Sequence, residues 1–111
     1  MDCIFCKIVK GDIAADVIYE DEEMMAFHDL SPQAPVHVLI IPKTHIASLD
    51  DADGHGELLG RIMQKMHEIA AQLGLKNGYR VVNNCGKDAL QTVKHIHFHL
   101  LGGRKMGWPP G

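Results

Sequence analysis

The chain has 111 residues with a formal net charge of −3, and 46% of its residues are hydrophobic, which predicts one domain over residues 1–111 with a substantial core. No basic patch is present, which disfavours a protein that holds nucleic acid through its phosphates, and no apolar run is long enough to span a membrane. Three cysteines are too few for a disulfide framework, and no apolar secretory segment opens the sequence, so we expect a cytoplasmic protein.

The first half of the sequence predicts a β-hairpin and a third strand. Residues 17–20 and 24–28 are short apolar runs on either side of an acidic turn, which is typical of a hairpin. Residues 36–41 form a strong strand signal that ends at Pro42, because proline cannot donate to a strand ladder. The next stretch, residues 44–49, is predicted to form a short helical turn.

The second half predicts one long helix followed by two strands. Apolar residues recur at three- and four-residue steps, which predicts an amphipathic helix from about Gly56 to Leu73 that ends in a left-handed cap at Gly74. A further strand is predicted at residues 79–83, and a polar loop at 85–92. Antiparallel strands with one long and one short helix, without βαβ alternation, indicate an α+β domain with a sheet of about five strands.

The most informative segment is residues 95–101, with the sequence His-Ile-His-Phe-His-Leu-Leu. Its alternation is typical of a half-buried strand, so His95, His97 and His99 are expected on one face, about 6.6–6.8 Å apart. A neutral imidazole can attack phosphorus and carry a phosphoryl group covalently, while a second imidazole assists the leaving group. Gln91 and Thr92, in the preceding loop, are candidate donors to developing negative charge. Solvated histidines or a His-x-His metal chelate are the alternatives.

A second candidate site lies at the start of the chain. Cys3 and Cys6 form a Cys-x-x-Cys pair. Such a pair is compatible with zinc ligands, with a redox pair or with two unrelated reduced thiols. The residues alone leave these three interpretations open.

The histidine segment matches the His-φ-His-φ-His-φ-φ signature of the histidine triad (HIT) superfamily, in which φ is apolar. The stretches Phe-His-Asp-Leu-Ser-Pro-Gln-Ala-Pro-Val-His at 27–37, Ile-Pro-Lys-Thr-His at 41–45 and Gly-Gly-Arg-Lys-Met-Gly-Trp-Pro-Pro-Gly at 102–111 resemble the Hint branch, the nucleoside phosphoramidases. The resemblance covers nearly the entire chain in matching order. It implies a single HIT domain with a HIT-like fold, whose sheet extends across a homodimer.

The resemblance also implies an activity, the hydrolysis of purine nucleoside 5′-phosphoramidates such as AMP joined to an amine or to lysine. His97 would be the nucleophile that carries the nucleoside monophosphoryl group, and His99 would contact the phosphate and assist the leaving group. His95 and His37 would support the site, Thr92 would contact the phosphate, and no cofactor would be required for catalysis. The residues expected to bind the substrate are Phe5, Ile8, Phe27, His28, Asp29, Leu30, Asn84, Gln91, Thr92, Val93 and Trp108.

Within that set, the resemblance makes Asp29 the counterpart of the family's ribose-hydroxyl acceptor; a turn residue before Ser31-Pro32 is the alternative. Trp108 would reach toward the partner's active site. Two departures from the family lie in the loop, where relatives usually have Gly-Gln-Ser and this chain has Leu90-Gln91-Thr92. Thr92 keeps the hydroxyl group of the serine and adds a methyl group. Leu90 therefore replaces a residue that is free to adopt a positive φ.

In several relatives, structural zinc is held by a similar cysteine pair, whereas other relatives lack the cysteines. The corresponding ligands here would be Cys3, Cys6, His45 and His95, a Cys₂His₂ set. Competing functions are a non-catalytic purine-nucleotide sensor that partners recognise, a zinc-held adaptor, and a dinucleoside polyphosphate hydrolase.

Overall fold

The computed structural model describes residues 2–111. Its centre is a five-stranded antiparallel sheet with the strand order β1-β2-β3-β5-β4. Two α-helices and a single 3₁₀ turn at Leu49–Asp51 complete the described chain. The elements in chain order are α1 (Ile4–Lys10), β1 (Val17–Glu20), β2 (Met24–His28), β3 (Val36–Pro42), α2 (Gly56–Gln72), β4 (Tyr79–Val82) and β5 (Phe98–Gly102). Within residues 2–111, no helix is both long and apolar enough to cross a membrane.

The predicted α+β class, hairpin and long helix are all confirmed. β1 pairs with β2 as a hairpin, and α2 spans nearly the predicted range, with Gly74 at φ +74° just beyond its end. Such a left-handed conformation is accessible to glycine without the penalty that a Cβ atom imposes.

The short helix was predicted in the wrong place. Residues 44–49 contain no α-helix; a 3₁₀ turn begins only at Leu49, after Ser48, whose side chain accepts a hydrogen bond from the Asp50 N–H. The short helix is instead α1, for which the Cys3 side chain forms the N-cap and Gly11, at φ +85°, forms the C-cap. Seven residues are too few to show a clear helical period.

Two apolar clusters lie on opposite faces of the sheet. On one face, α2 packs Ile62, Met66 and Ile69 against apolar residues of the central strands. On the other face, a smaller cluster joins Phe5 of α1 to Phe27 of β2 and to side chains of β3. Because side chains alternate along a strand, His37 lies on the α1 face with Leu39 and Ile41, as predicted.

The start of β5 also differs from the prediction. Its regular pairing with β3 ends at the pair Ile40–Phe98, so His95 and His97 precede the strand. The Ile96 N–H donates to the Ile46 carbonyl at 2.6 Å, which attaches this segment to residue 46 outside the sheet ladder. The alternation persists nevertheless, since Ile96, Phe98 and Leu100 all lie in the cluster under α2.

Candidate active site

A hydrogen bond to the backbone fixes the tautomer of His97. Its Nδ1 lies 2.8 Å from the His95 carbonyl oxygen. Because a carbonyl only accepts, Nδ1 carries the proton and donates. In the neutral ring, Nε2 therefore keeps its lone pair. The ring is buried and lies edge-on to Phe5, with 5.0 Å between the ring centroids.

His37 and His99 form a second pair with defined proton positions. The Gln33 backbone N–H donates to His37 Nδ1 at 3.0 Å, so the proton of a neutral His37 lies on Nε2. That Nε2 is 2.8 Å from His99 Nδ1 and donates to it. The proton of His99 consequently lies on Nε2, a buried atom without a hydrogen-bond partner in residues 2–111. His99 and His97 are adjacent, with ring centroids 5.1 Å apart.

Burial keeps the His37–His99 pair neutral at physiological pH. It lowers the pKa of His99 to about 4, and the neighbouring His97 and His37 rings act in the same direction. Burial also lowers the pKa of His37, although the Asp29 carboxylate opposes that effect. The Nε2–H of His99 is thus a neutral donor that no acceptor within residues 2–111 uses.

A largely apolar cavity of about 250 Å³ lies on the α1 face. Seven residues predicted to bind the substrate line it, namely Phe5, Ile8, Phe27, His28, Asp29, Leu30 and Val93. Sequence reasoning missed six more lining residues, Ile4, Ile13, Ala14, Ala15, Asp16 and Leu39. Residues 13–16 lie between α1 and β1 without a periodic signal, whereas Leu39 could have been placed from its alternation with His37.

The two carboxylate oxygens of Asp29 have different neighbours. Oδ1 accepts a hydrogen bond from the Ser31 N–H at 2.7 Å, which is the turn interaction expected of an aspartate before Ser-Pro. Oδ2 lies 3.5 Å from His37 Nε2, and Asp29 also lines the cavity, which His37, His97 and His99 themselves do not line. The turn role and a ligand-facing role are therefore compatible in one side chain.

Gln91 was predicted to contact the substrate, but its side chain is hydrogen-bonded within the protein. Its Nε2 donates to the carbonyls of Ala47 and Val93, and its Oε1 accepts from the Gly86 N–H. Both amide hydrogens are used within the protein, so Gln91 anchors its loop rather than offering a donor to a ligand. Leu90, just before it, has a φ of +62° and is 76% exposed, so this loop does require the left-handed conformation for which a glycine is better suited.

Three other predicted residues are not brought into the cavity. Thr92 is exposed and lines a neighbouring cleft that also contains Cys3 and His45. Asn84, predicted near the phosphate, does not line the cavity, whereas Asn83, one residue earlier, donates a hydrogen bond from Nδ2 to the His97 carbonyl. Trp108 is 82% exposed.

The tail around Trp108 is attached to the edge of the sheet. Arg80 of β4 donates to the Gly107 carbonyl at 2.9 Å, and its guanidinium lies over the Trp108 ring, 5.9 Å from the centroid. β4 is an outer strand of the sheet. A large aromatic side chain is therefore presented, largely exposed, beside an open sheet edge.

A Cys–His cluster is formed by Cys3, Cys6, His45 and His95, the predicted set. The His45 and His95 Nδ1 atoms are 3.2 Å apart, and the sulfur–nitrogen distances are 3.4 Å from Cys3 to His95, 3.3 Å from Cys6 to His45 and 3.6 Å from Cys6 to His95. Tetrahedral zinc with nitrogen and sulfur ligands requires about 3.3–3.8 Å between donors. His95 Nε2–H donates to the Pro42 carbonyl at 2.8 Å, which leaves the Nδ1 lone pair directed at the cluster. The residues present fit zinc.

A second group of potential ligands does not fit a metal ion. Asp29, His37 and His99 also bring ligand atoms close together. A metal on His37 Nε2 would force the proton onto Nδ1, where the Gln33 N–H already donates. Metal binding would therefore place the His37 Nδ1–H opposite the Gln33 N–H, two donors without an acceptor. We assign this group to hydrogen bonding.

Comparisons with known proteins show the family and the fold. The family model described as the HIT domain matches residues 10–106. A HIT family hydrolase from Legionella pneumophila superposes with a TM-score of 0.97 and 51% identity, covering 99% of this chain and 100% of that one. A histidine triad nucleotide-binding protein from Candida albicans superposes with a TM-score of 0.84 and 37% identity, covering 97% of this chain and 83% of that one.

Two relatives, from Zea mays and Brassica juncea, are named as 14 kDa zinc-binding proteins. The 14 kDa zinc-binding protein of Zea mays is 50% identical over 113 residues, which cover 97% of this chain and 87% of that protein.

The low pKa of His99 predicts an acid-dependent loss of stability. Its folded pKa of about 4 lies below the ordinary value of 6.5, so the unfolded chain binds the proton first and the free energy of unfolding falls between about pH 6.5 and 4. In His99→Gln this loss should be smaller. Urea unfolding at about pH 7 and about pH 5 measures it, with His67→Gln on the exposed side of α2 as the control. Equal losses in wild type and His99→Gln would contradict the prediction.

Proposed function

This chain belongs to the HIT family, and we propose that it hydrolyses purine nucleoside 5′-phosphoramidates through a nucleotidyl-histidine intermediate on His97. The substrates would be nucleoside monophosphates such as AMP joined to an amine or to lysine. The observation that carries the proposal is the fixed Nδ1–H of His97, which leaves Nε2 as a neutral nucleophile. His97 lies next to His99, which carries an unpartnered buried donor, and Phe5, which lies edge-on to the His97 ring, also lines the apolar cavity.

The reaction would proceed in two displacements. His97 Nε2 attacks the α-phosphorus, a nitrogen–phosphorus bond to the histidine forms, and the bond to the amine breaks. The amine takes up one proton as it leaves, and the water that later cleaves the intermediate releases one. The ring becomes cationic when Nε2 bonds to phosphorus, and the Nδ1–H bond to the His95 carbonyl stabilises that charge.

The neighbouring groups would stabilise the charge that develops on the phosphoryl oxygens. His99 Nε2–H is the donor for this role, because burial keeps the ring neutral and His37 fixes the proton on that nitrogen. The apolar side chains of the cavity would hold the purine, and Asp29 Oδ2 would accept a hydrogen bond from a ribose hydroxyl.

The same proposal includes a homodimer. The outer edge of β4 would pair with its counterpart and continue the sheet into a second copy. The exposed Trp108, held by Arg80, would then lie toward the partner's active site and contact the leaving group. This arrangement would account for a large aromatic side chain that one chain leaves uncovered.

We also propose that Cys3, Cys6, His45 and His95 hold one structural zinc ion. Their donor distances fit tetrahedral coordination, and the Zea mays relative is named for zinc binding. The ion would cross-link the N-terminal segment to the rest of the domain, and His97 would remain free for the phosphoryl group.

Replacing the nucleophile should separate catalysis from binding. In His97→Ala, kcat for an adenosine 5′-phosphoramidate of an alkylamine should fall by about ten-thousandfold or more, with AMP affinity within about threefold of the wild type. Steady-state kinetics and calorimetric AMP titration measure the two quantities. His67→Ala, on the exposed side of α2, is the matched control and should leave both unchanged.

Three results would contradict this assignment. Turnover by His97→Ala near the wild-type rate would remove the covalent role of His97. A wild-type protein that binds AMP without cleaving any phosphoramidate would favour the nucleotide-sensor alternative, and faster cleavage of a dinucleoside polyphosphate would favour the other hydrolase class.

Metal analysis tests the zinc proposal separately. Untagged protein purified without chelators should contain about one zinc ion per chain, and Cys3→Ser/Cys6→Ser should contain almost none because two of four ligands are lost. Cys85→Ser, a cysteine outside the cluster, is the control and should keep its zinc. A wild type without zinc, or a double variant that retains it, would refute the site.

A further inference from the structure

Helix α1 contributes residues to two sites, the Cys–His cluster and the apolar cavity. Its N-cap Cys3 and its first-turn Cys6 are members of the Cys–His cluster. Ile4, Phe5 and Ile8, from the same seven-residue helix, line the apolar cavity. A displacement of α1 would therefore disturb the cluster and the cavity wall together.

The position of α1 depends on contacts outside the helix. An isolated helix of this length is not stable in water, because the cost of nucleation exceeds the gain from so few hydrogen bonds. Without a metal, the two cysteines of α1 contact the histidines of the cluster only through sulfur–nitrogen distances of 3.3–3.6 Å. Thiols are weak hydrogen-bonding groups. Phe5, packed edge-on against Phe27, is the main apolar anchor.

His95 provides a second connection between the two sites. Its ring contributes Nδ1 to the cluster, and its backbone carbonyl accepts the hydrogen bond that sets the tautomer of His97. Phe5 lies against both rings, with centroids 5.8 Å from His95 and 5.0 Å from His97. A metal ion that fixes His95 would thus also fix the groups beside the phosphoryl position.

From this arrangement we propose that the Cys–His cluster and the nucleotide cavity are thermodynamically coupled through α1 and His95. Zinc in the cluster raises the affinity of the cavity for a purine nucleoside monophosphate, and the nucleotide raises the affinity of the cluster for zinc by the same factor. The inference rests on the proposed function, since it takes zinc and a nucleotide as the two ligands. The coupling between two such sites is typically about 5- to 150-fold, and we expect about tenfold here.

Reciprocal titrations of the wild-type protein test the coupling. AMP affinity is measured by calorimetry on the metal-free protein and on protein loaded with one equivalent of zinc. Zinc affinity is measured against a competing chelator, with and without saturating AMP. The zinc-loaded protein should bind AMP about tenfold more tightly, and AMP should tighten zinc binding by the same factor.

Two variants separate the coupling between the cluster and the cavity from any effect of zinc on AMP outside the cluster. Cys3→Ala/Cys6→Ala should bind AMP with the weaker affinity of the metal-free protein, whether or not zinc is added. Cys85→Ser should show the full wild-type coupling. Hydrogen exchange of the metal-free protein should be faster in α1, and AMP alone should slow it there.

The outcomes distinguish this inference from the proposed function. If zinc and AMP both bind and neither changes the affinity of the other, the coupling is refuted and the proposed function stands. If AMP binds in neither state, the proposed function itself fails. Loss of exchange protection throughout the sheet on zinc removal would overturn the route through α1 and His95, because the effect would then be global unfolding.

Discussion

The hydrogen bond from His97 Nδ1–H to the His95 carbonyl is the interaction on which the proposed chemistry depends. It leaves the lone pair of the neutral ring on Nε2, and it can stabilise the positive charge that a phosphoryl adduct would create. The carbonyl is itself held in place, because the Ile96 N–H binds Ile46 and the His95 ring binds Pro42. Hydrogen bonds on both sides of the His95–Ile96 peptide thus fix this short irregular segment. That rigidity would keep the nucleophile oriented without a contact from the substrate.

The two faces of the sheet carry different kinds of residue. Its α2 face holds the larger apolar cluster, and its α1 face holds the buried histidines and the cavity. Alternation along one segment puts Ile96 and Phe98 on the first face and the flanking histidines on the second. Burial on the second face also lowers the pKa of His37 and of His99, so the same packing that excludes water keeps the donor on His99 neutral.

Much of this arrangement could be predicted from the sequence, because strong periodic signals specify the hairpin, α2 and the faces of the histidine segment. The seven cavity residues followed from the family resemblance rather than from periodicity. Three features depended on local bonds that no pattern encodes. Cysteine and glycine caps define α1, the Ile96–Ile46 bond delays the start of β5, and three hydrogen bonds turn Gln91 toward its own loop. Asn83 was missed because its contact with His97 crosses between strand ends that are distant in sequence.

The covalent role of His97 has a direct stereochemical test. An adenosine phosphoramidate made chiral at phosphorus with sulfur can be hydrolysed in oxygen-18 water, and the configuration of the product determined. Two successive in-line displacements, first by His97 and then by water, predict overall retention at phosphorus. Overall inversion would mean that water attacks the substrate directly, and it would contradict a nucleotidyl-histidine intermediate.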